Sequence, residues 1–322
     1  MVPDAALVER FSRDLDPLIP ADARIGIAVS GGPDSLALLL LATAARPGNV
    51  EGATVDHALR KGSGEEAGAV AAICQQLGVP HEVLSVEWLE KPESAIQQRA
   101  RDERYRLLGE WAKARKLHAV VTAHQLEDQA ETLMMRLTRG AGVRGLAGMR
   151  AAATVPGCDI PLLRPLLGWR RSQLRDMCAA AGLRPAKDPG NEDERFERVR
   201  IRRALGQADW LDAQSLAASA SHLGDADAAL EWATGQEWAS AVSNGGTDIT
   251  YRPTDAPAEI RRRIVQGAIT RLAWEGAGTE LRGHELDRLL ALLTGGGQAT
   301  IRGVCCAGGR EWRFTRAPPR RA

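Results

Sequence analysis

The chain has 322 residues, 44% apolar and 26% charged, with a net charge of +1. That length suits about two domains with packed cores, and the near-neutral balance excludes a polycation that would bind nucleic acid over its whole surface. No apolar run approaches the ~20 residues that span a membrane, and the five cysteines are scattered with no C-x-x-C pair; this argues against a disulfide framework or a cysteine zinc site and fits a reducing cytoplasm.

Residues 1–19 read as a helix with apolar positions at Leu7, Phe11, Leu15 and Leu18. Residues 1–24 carry charges throughout, so no secretory leader is expected. Residues 25–29 form a short β-branched run and predict a buried strand. A turn follows, made of Ser30, Gly31, Gly32, Pro33, Asp34 and Ser35, and then a Leu- and Ala-rich helix to Ala45. The alternation continues. Strands are predicted at 50–55, 81–86 and 119–123, and helices at 65–77, 94–115 and 127–138. Repeated β-α units with short connections predict a parallel, doubly wound sheet of Rossmann-like form. Ligands of such sheets bind beyond the carboxyl ends of the strands. Ser30, Asp56 and His124 all fall just past predicted strand ends.

Residues 140–149 form a glycine-rich connection, 160–167 an extended apolar stretch, and 172–181 a helix. Residues 187–191 read as a turn. The pattern then becomes mainly helical, at 213–239 and 257–294, with a strand at 248–251 and a terminal β-hairpin at 299–304 and 311–315. Two domains are expected, 1–195 and 196–322. Arginines cluster at 195–203, 261–263 and 313–321, which suits either solvated faces or an RNA-facing surface.

A strand, a glycine turn and a helix start make an anion seat. The first helical N–H groups lack partners within the helix and carry the positive end of its dipole. On residue types alone, Ser30–Ser35 fits either such a seat or a turn capped by Asp34. No Walker lysine follows the glycines. Arg101 and Arg104 share a helix face, as either a phosphate-binding pair or members of surface ion pairs. His124, Asp128 and Glu131, spaced by four and three, share another face, as a seat for a cation or as helix caps.

The string Ser-Gly-Gly-x-Asp-Ser resembles the pyrophosphate loop of the N-type ATP pyrophosphatases. Five further elements, in order over residues 25–203, resemble those of the tRNA(Ile)-lysidine synthetases. They are the segment of His57, Leu59, Arg60 and Ser63; that of Arg101, Arg104 and Tyr105; that of His124, Asp128, Glu131 and Thr132; the glycines of 140–149; and Arg164–Leu167 with the run from Asp188 to Arg202. Gln125, Glu127 and Val199 depart from the family pattern.

The resemblance implies a PP-loop fold and a ligase reaction. ATP would adenylate C2 of a cytidine in the CAU anticodon of tRNA(Ile), and L-lysine would then displace AMP. It implies ATP and phosphate contacts from Ala28, Ser30, Gly31, Gly32, Pro33, Asp34, Ser35 and Asp56, with Mg²⁺ at Asp34. It implies catalytic roles for Asp34, Arg101 and Asp128, and lysine contacts from His124, Asp128 and Glu131. Phosphate or tRNA contacts are implied for Arg60, Arg104, Arg198 and Arg202. A homodimer is compatible with this reading. The additional C-terminal domain of longer members is not expected. A tRNA thiolase on the same fold is the alternative, although its chemistry needs reactive cysteines.

Overall fold

The computed structural model describes residues 2–58, 62–88, 95–186, 193, 195–273, 281 and 283–318. Two compact units divide the chain. The first comprises Met1–Thr138 with Gly148–Ala220, and the second Arg139–Ala147 with Ser221–Ala322.

In the first unit, helices and strands alternate as α1 (Ala5–Leu15), β1 (Ile25–Ala28), α2 (Pro33–Ala45), β2 (Val50–Asp56), α3 (Ser63–Gln76), β3 (His81–Ser85), α4 (Ile96–Ala114), β4 (Ala119–Val121) and α5 (Leu126–Leu137). After α6 (Val143–Leu146), which counts with the second unit, come β5 (Ala152–Thr154), β6 (Pro161–Leu163), α7 (Arg171–Ala180) and α8 (Glu197–Gln207). The sheet order is β3-β2-β1-β4-β6-β5, parallel except for β5. Ile25 at the start of β1 pairs with Val50 on one side and Ala119 on the other. The chain therefore winds outward in both directions from β1, and the crevice beyond β1 and β4 is the switch point where such sheets bind ligands.

The central strands β1 and β4 are apolar and buried because helices cover both faces of the sheet there, whereas the edge strands β3 and β5 are largely exposed. Leu36 to Ala42 of α2 are all buried, so this helix is apolar on every side. It packs between α1 and α7. Gly26 in β1 has a steric reason: a Cβ there would lie 2.4 Å from the Trp111 ring of α4.

The expected boundary at 195/196 differs from the division into compact units, which falls at Ala220. The helix α8 packs on α5, because its arginines meet a buried carboxylate there. The turn expected at 187–191 lies outside the described residues.

The second unit contains most of α9 (Ala213–Ala241), then β7 (Val242–Asn244), β8 (Asp248–Tyr251), α10 (Ala258–Leu272), α11 (Gly283–Thr294), β9 (Gln298–Ile301), β10 (Val304–Ala307) and β11 (Trp312–Arg316). Its strands form one antiparallel sheet, β7-β8-β11-β10-β9. Tyr251 and Trp312 meet edge to face at 5.5 Å within its core. Buried Arg263 is held by Asp227, Glu231 and Glu259. The sheet is larger than the expected hairpin. Arg302 and Gly303, with φ of 50° and 75°, turn β9 into β10, the backbone that a tight hairpin requires. Arg-Gly is a weak sequence signal for that turn. Among the described residues, no helix is long and apolar enough to cross a membrane.

Candidate active site

The switch point is built from two helix starts. At the first, Gly31 adopts φ of +82°, a conformation that suits glycine, and its carbonyl accepts from the Ala186 N–H at 3.0 Å. The Ser30 N–H donates to Ser35 Oγ at 3.2 Å, and Ser35 Oγ–H donates to the Gly32 carbonyl at 2.9 Å. The hydroxyls thus close the loop upon itself. Gly32 caps α2 with no side-chain bond and Pro33 opens it. The first N–H groups of α2 are left for an anion. Ala28 lies at the end of β1, beside Ala53. Asp56 ends β2, where its Oδ1 accepts from the Ala58 N–H at 2.8 Å.

At the second start, Gln125 caps α5. Its Oε1 accepts from the Glu127 N–H at 2.6 Å, and Asp128 Oδ2 accepts from the Gln125 N–H at 3.1 Å. Glu127 Oε2 in turn accepts from the Arg171 N–H at 2.9 Å and caps α7. The two departures from the family pattern in this segment therefore serve as caps.

Asp34, Asp128 and Glu131 converge on one guanidinium. Arg171 lies 4.0 Å from Asp34, 3.6 Å from Asp128 and 3.3 Å from Glu131. Arg198 Nε and Arg202 Nε donate to Glu131 at 2.8 and 2.6 Å. Both Glu131 oxygens are engaged, although the side chain is only 1% exposed. Glu131 is thus an anchor for arginines, which differs from the lysine contact expected of it. Arg198 and Arg202 were expected to face phosphate or tRNA; their guanidiniums turn inward to Glu131. Arg60 lies outside the described residues.

The electrostatics follow from burial. Asp34 is pushed up to about 6, chiefly by burial, with Arg171 opposing. Its Oδ1 is buried without a hydrogen-bond partner. Burial also raises Asp128 against Arg198. Glu131 bears the same cost of burial, yet bonds from Arg202 and Arg198 hold it below the usual carboxylate range. His124 is held neutral, well below its ordinary value, first by burial and then by Arg164, Arg104, Arg198 and Arg101. Its Nδ1 lies 3.0 Å from Thr122 Oγ1. Arg101 and Arg104 both lie over the Tyr105 ring, at 5.0 and 5.2 Å.

The orphaned Asp34 Oδ1 fits a role as metal ligand. Among the described residues, no three His, Cys, Asp or Glu side chains are grouped to hold an ion. A divalent cation here would take most of its ligands from phosphate oxygens and water. The cysteines are free. Cys178 Sγ donates to the Pro33 carbonyl at 3.1 Å, and burial raises its thiol to about 11.

Two site residues escaped the sequence reading, Arg171 and Arg164. Arg171 had a signal: a cation in the first turn of a helix opposes the dipole and needs a compensating anion. Arg164 stood in a quoted motif, and only the fold shows it buried, with its Nη1 donating to the Arg150 carbonyl at 2.8 Å.

Residues 5–209 match the PP-loop domain family. The chain is 47% identical over 315 residues to a tRNA(Ile)-lysidine synthase of Novosphingobium aromaticivorans, covering 97% of this chain and 94% of that protein. It is 42% identical over 304 residues to one of Zymomonas mobilis subsp. mobilis, covering 94% and 91%. A solved structure, the U34-tRNA thiolase NcsA from Methanococcus maripaludis, superposes with a TM-score of 0.57 at 15% identity, over 67% of this chain and 76% of that one. That likeness is one of fold alone.

Proposed function

The chain belongs to the tRNA(Ile)-lysidine synthase family of PP-loop proteins, and from that premise we propose that it joins L-lysine to C2 of the wobble cytidine of tRNA(Ile) with the CAU anticodon. The observation that carries this reading is the convergence of Asp34, from the phosphate loop, and Asp128, from α5, on Arg171. On this reading, the carboxylate assigned to the phosphates and the one assigned to the amine share one guanidinium.

In the first step, the cytidine C2 oxygen attacks the α-phosphate of ATP and pyrophosphate leaves. The unfilled N–H groups at the start of α2 suit the leaving phosphates. Mg²⁺, held by Asp34 when bound, would neutralise charge on the phosphate oxygens. Arg101, exposed at the site, suits the α-phosphate or the RNA backbone. In the second step, the ε-amine of lysine attacks C2 and AMP leaves with the bonding pair. The amine must give up a proton to attack. Asp128, raised by burial, accepts from the Gln125 N–H at 3.1 Å and from Arg198 at 3.5 Å, and suits that acceptor role. Glu131 serves by fixing Arg198 and Arg202 beside α5. RNA readers splay a loop base out to reach its edge, and such binding weakens with salt. The setting is the cytoplasm.

Thiolation draws no support from Cys74 and Cys178, which are buried and raised by burial to about 11, and the sequence has no C-x-x-C pair. The test is incorporation of labelled lysine into a tRNA(Ile) transcript with ATP and Mg²⁺, beside Asp34→Asn. Label should enter with the wild type and be lost in the variant. ATP cleavage to AMP without entry of lysine would overturn the reading.

A further inference from the structure

A line of hydrogen bonds runs from the edge of the first unit's sheet into the phosphate loop. The pairing of β1 with β2 ends at Ala28 and Ala53. Val29 follows, buried, and its N–H still donates to the Ala53 carbonyl at 2.8 Å. The Val29 carbonyl accepts from a side chain: Thr54 Oγ1–H donates to it at 2.8 Å. A hydroxyl has one hydrogen to give. The contact of Thr54 Oγ1 with His81 Nε2, also 2.8 Å, therefore runs the other way, with Nε2–H as the donor. His81 opens the edge strand β3 opposite Gly52. A Cβ at Gly52 would lie 3.3 Å from the ring's Cδ2, so the glycine leaves the imidazole its place.

The same peptide carries the line onward. A peptide group is planar, so the Val29 carbonyl and the Ser30 N–H move as one body. That N–H donates to Ser35 Oγ at 3.2 Å, and Ser35 Oγ–H donates to the Gly32 carbonyl at 2.9 Å. Each donor from His81 to Ser35 hands on to the next group, an arrangement in which the bonds polarise one another. The loop is closed by its own hydroxyls, so the Val29–Ser30 peptide is where its direction relative to the sheet is set. Resting on the use of ATP read above, we propose that Thr54 and His81 are positioning residues: through this peptide they aim Ser35 and the first N–H groups of α2 at the leaving pyrophosphate. Both act at one remove from the anion. Thr54 is 7% exposed, and β3 stands two strands from β1. Loss of the hydroxyl would take a donor from a buried carbonyl at the root of the loop, and that is costly.

The test is the ATP half of the reaction, read without lysine as exchange of labelled pyrophosphate into ATP in the presence of tRNA(Ile) transcript and Mg²⁺. Thr54→Val keeps the shape and removes the hydroxyl. It should lower kcat/KM for ATP by about tenfold, the worth of one buried hydrogen bond. The KM for lysine in the full reaction should move less than about twofold. Thr54→Ser should recover most of the rate. His81→Leu should lower kcat/KM for ATP by about threefold to tenfold, and His81→Gln, whose amide donates from nearly the same place, should recover it. In the Thr54→Val background His81→Leu should add nothing, because it acts through the hydroxyl. Unfolding midpoints check that each variant is folded; if Thr54→Val is not, the two His81 variants on the edge strand carry the same comparison. Unchanged ATP kinetics in Thr54→Val overturn the proposal. So does an equal loss toward ATP and lysine, the mark of a general fault in the fold. Additive effects of the two substitutions overturn the role of His81. With exchange intact, failure of the wild type to incorporate lysine overturns the lysine reaction alone; absence of exchange overturns the use of ATP and this proposal with it.

Discussion

The Arg171 guanidinium stands 4.0 Å from the Asp34 carboxylate. The same group reaches Asp128 and Glu131, so one cation ties the phosphate loop to α5. Replacement by Gln should cost about 2 kcal/mol, because three carboxylates lose a partner while Glu131 keeps Arg198 and Arg202. Denaturant unfolding measures this. The pH below which activity falls should also move upward, since Arg171 is the largest influence holding Asp34 down. Arg171→Lys should restore much of the stability and less of the activity, because it keeps the charge and loses the fork.

Asp34 itself sets a pH dependence with a definite sign. Its folded pKa is raised from 3.8 to about 6, so the folded chain binds the proton more tightly than the unfolded chain. Stability from this group is greatest below pH 3.8 and is lost as pH rises to about 6. Asp34→Asn should therefore stabilise the ligand-free chain at pH 7 by about 2 kcal/mol and have little effect near pH 3. With Asp34 in the role proposed for it at the phosphates, activity runs the other way, since that role needs the carboxylate. It should fall in the wild type as pH drops through about 6. Thermal unfolding of both forms across pH, beside a pH–rate profile, checks the two halves.

Glu131 anchors three guanidiniums from a fully buried position. Glu131→Gln keeps the shape and removes the charge. It should cost about 3 kcal/mol, because Arg202 loses the charge it pairs with, while Arg171 and Arg198 keep only their longer contacts to Asp128 and Asp34. Chemical denaturation should show a lowered midpoint. A loss of lysine incorporation with unchanged stability would instead identify Glu131 as a direct ligand.

Gly26 tests the fold without touching the site. Gly26→Ala would drive a methyl to 2.4 Å from the Trp111 ring and 2.7 Å from Leu117. It should destabilise by about 1–3 kcal/mol through overpacking. The unfolding midpoint should drop, while the KM values of the folded fraction remain those of the wild type.

Much of the first unit was legible along the chain, because its order of strands and helices repeats a local pattern. Apolar β-branched runs, glycine turns and Leu- and Ala-rich segments each declare their geometry within about ten residues. Ser30–Ser35 was legible as a turn between strand and helix because glycines and a helix start declare themselves locally. The second unit was harder to read. Its strands are short, and the Arg302-Gly303 turn follows from backbone conformation more than from residue type.

The alternation of strands and helices, the glycine turn beyond β1 and the placing of Asp128 and Glu131 on one face of α5 were determined by the sequence itself, through local periodicity; His124, expected on that face, precedes the extended cap Gln125 and stands outside the helix. What each of those side chains meets was decided only by tertiary structure. Arg171 lies 137 positions from Asp34 along the chain (171 − 34), and Arg202 lies 71 from Glu131. Their pairing follows from the packing of α7 on α2 and of α8 on α5. A carboxylate's role depends on whether a cation has already taken its lone pairs, and burial sets how much that matters. Neither property is carried by spacing along the chain.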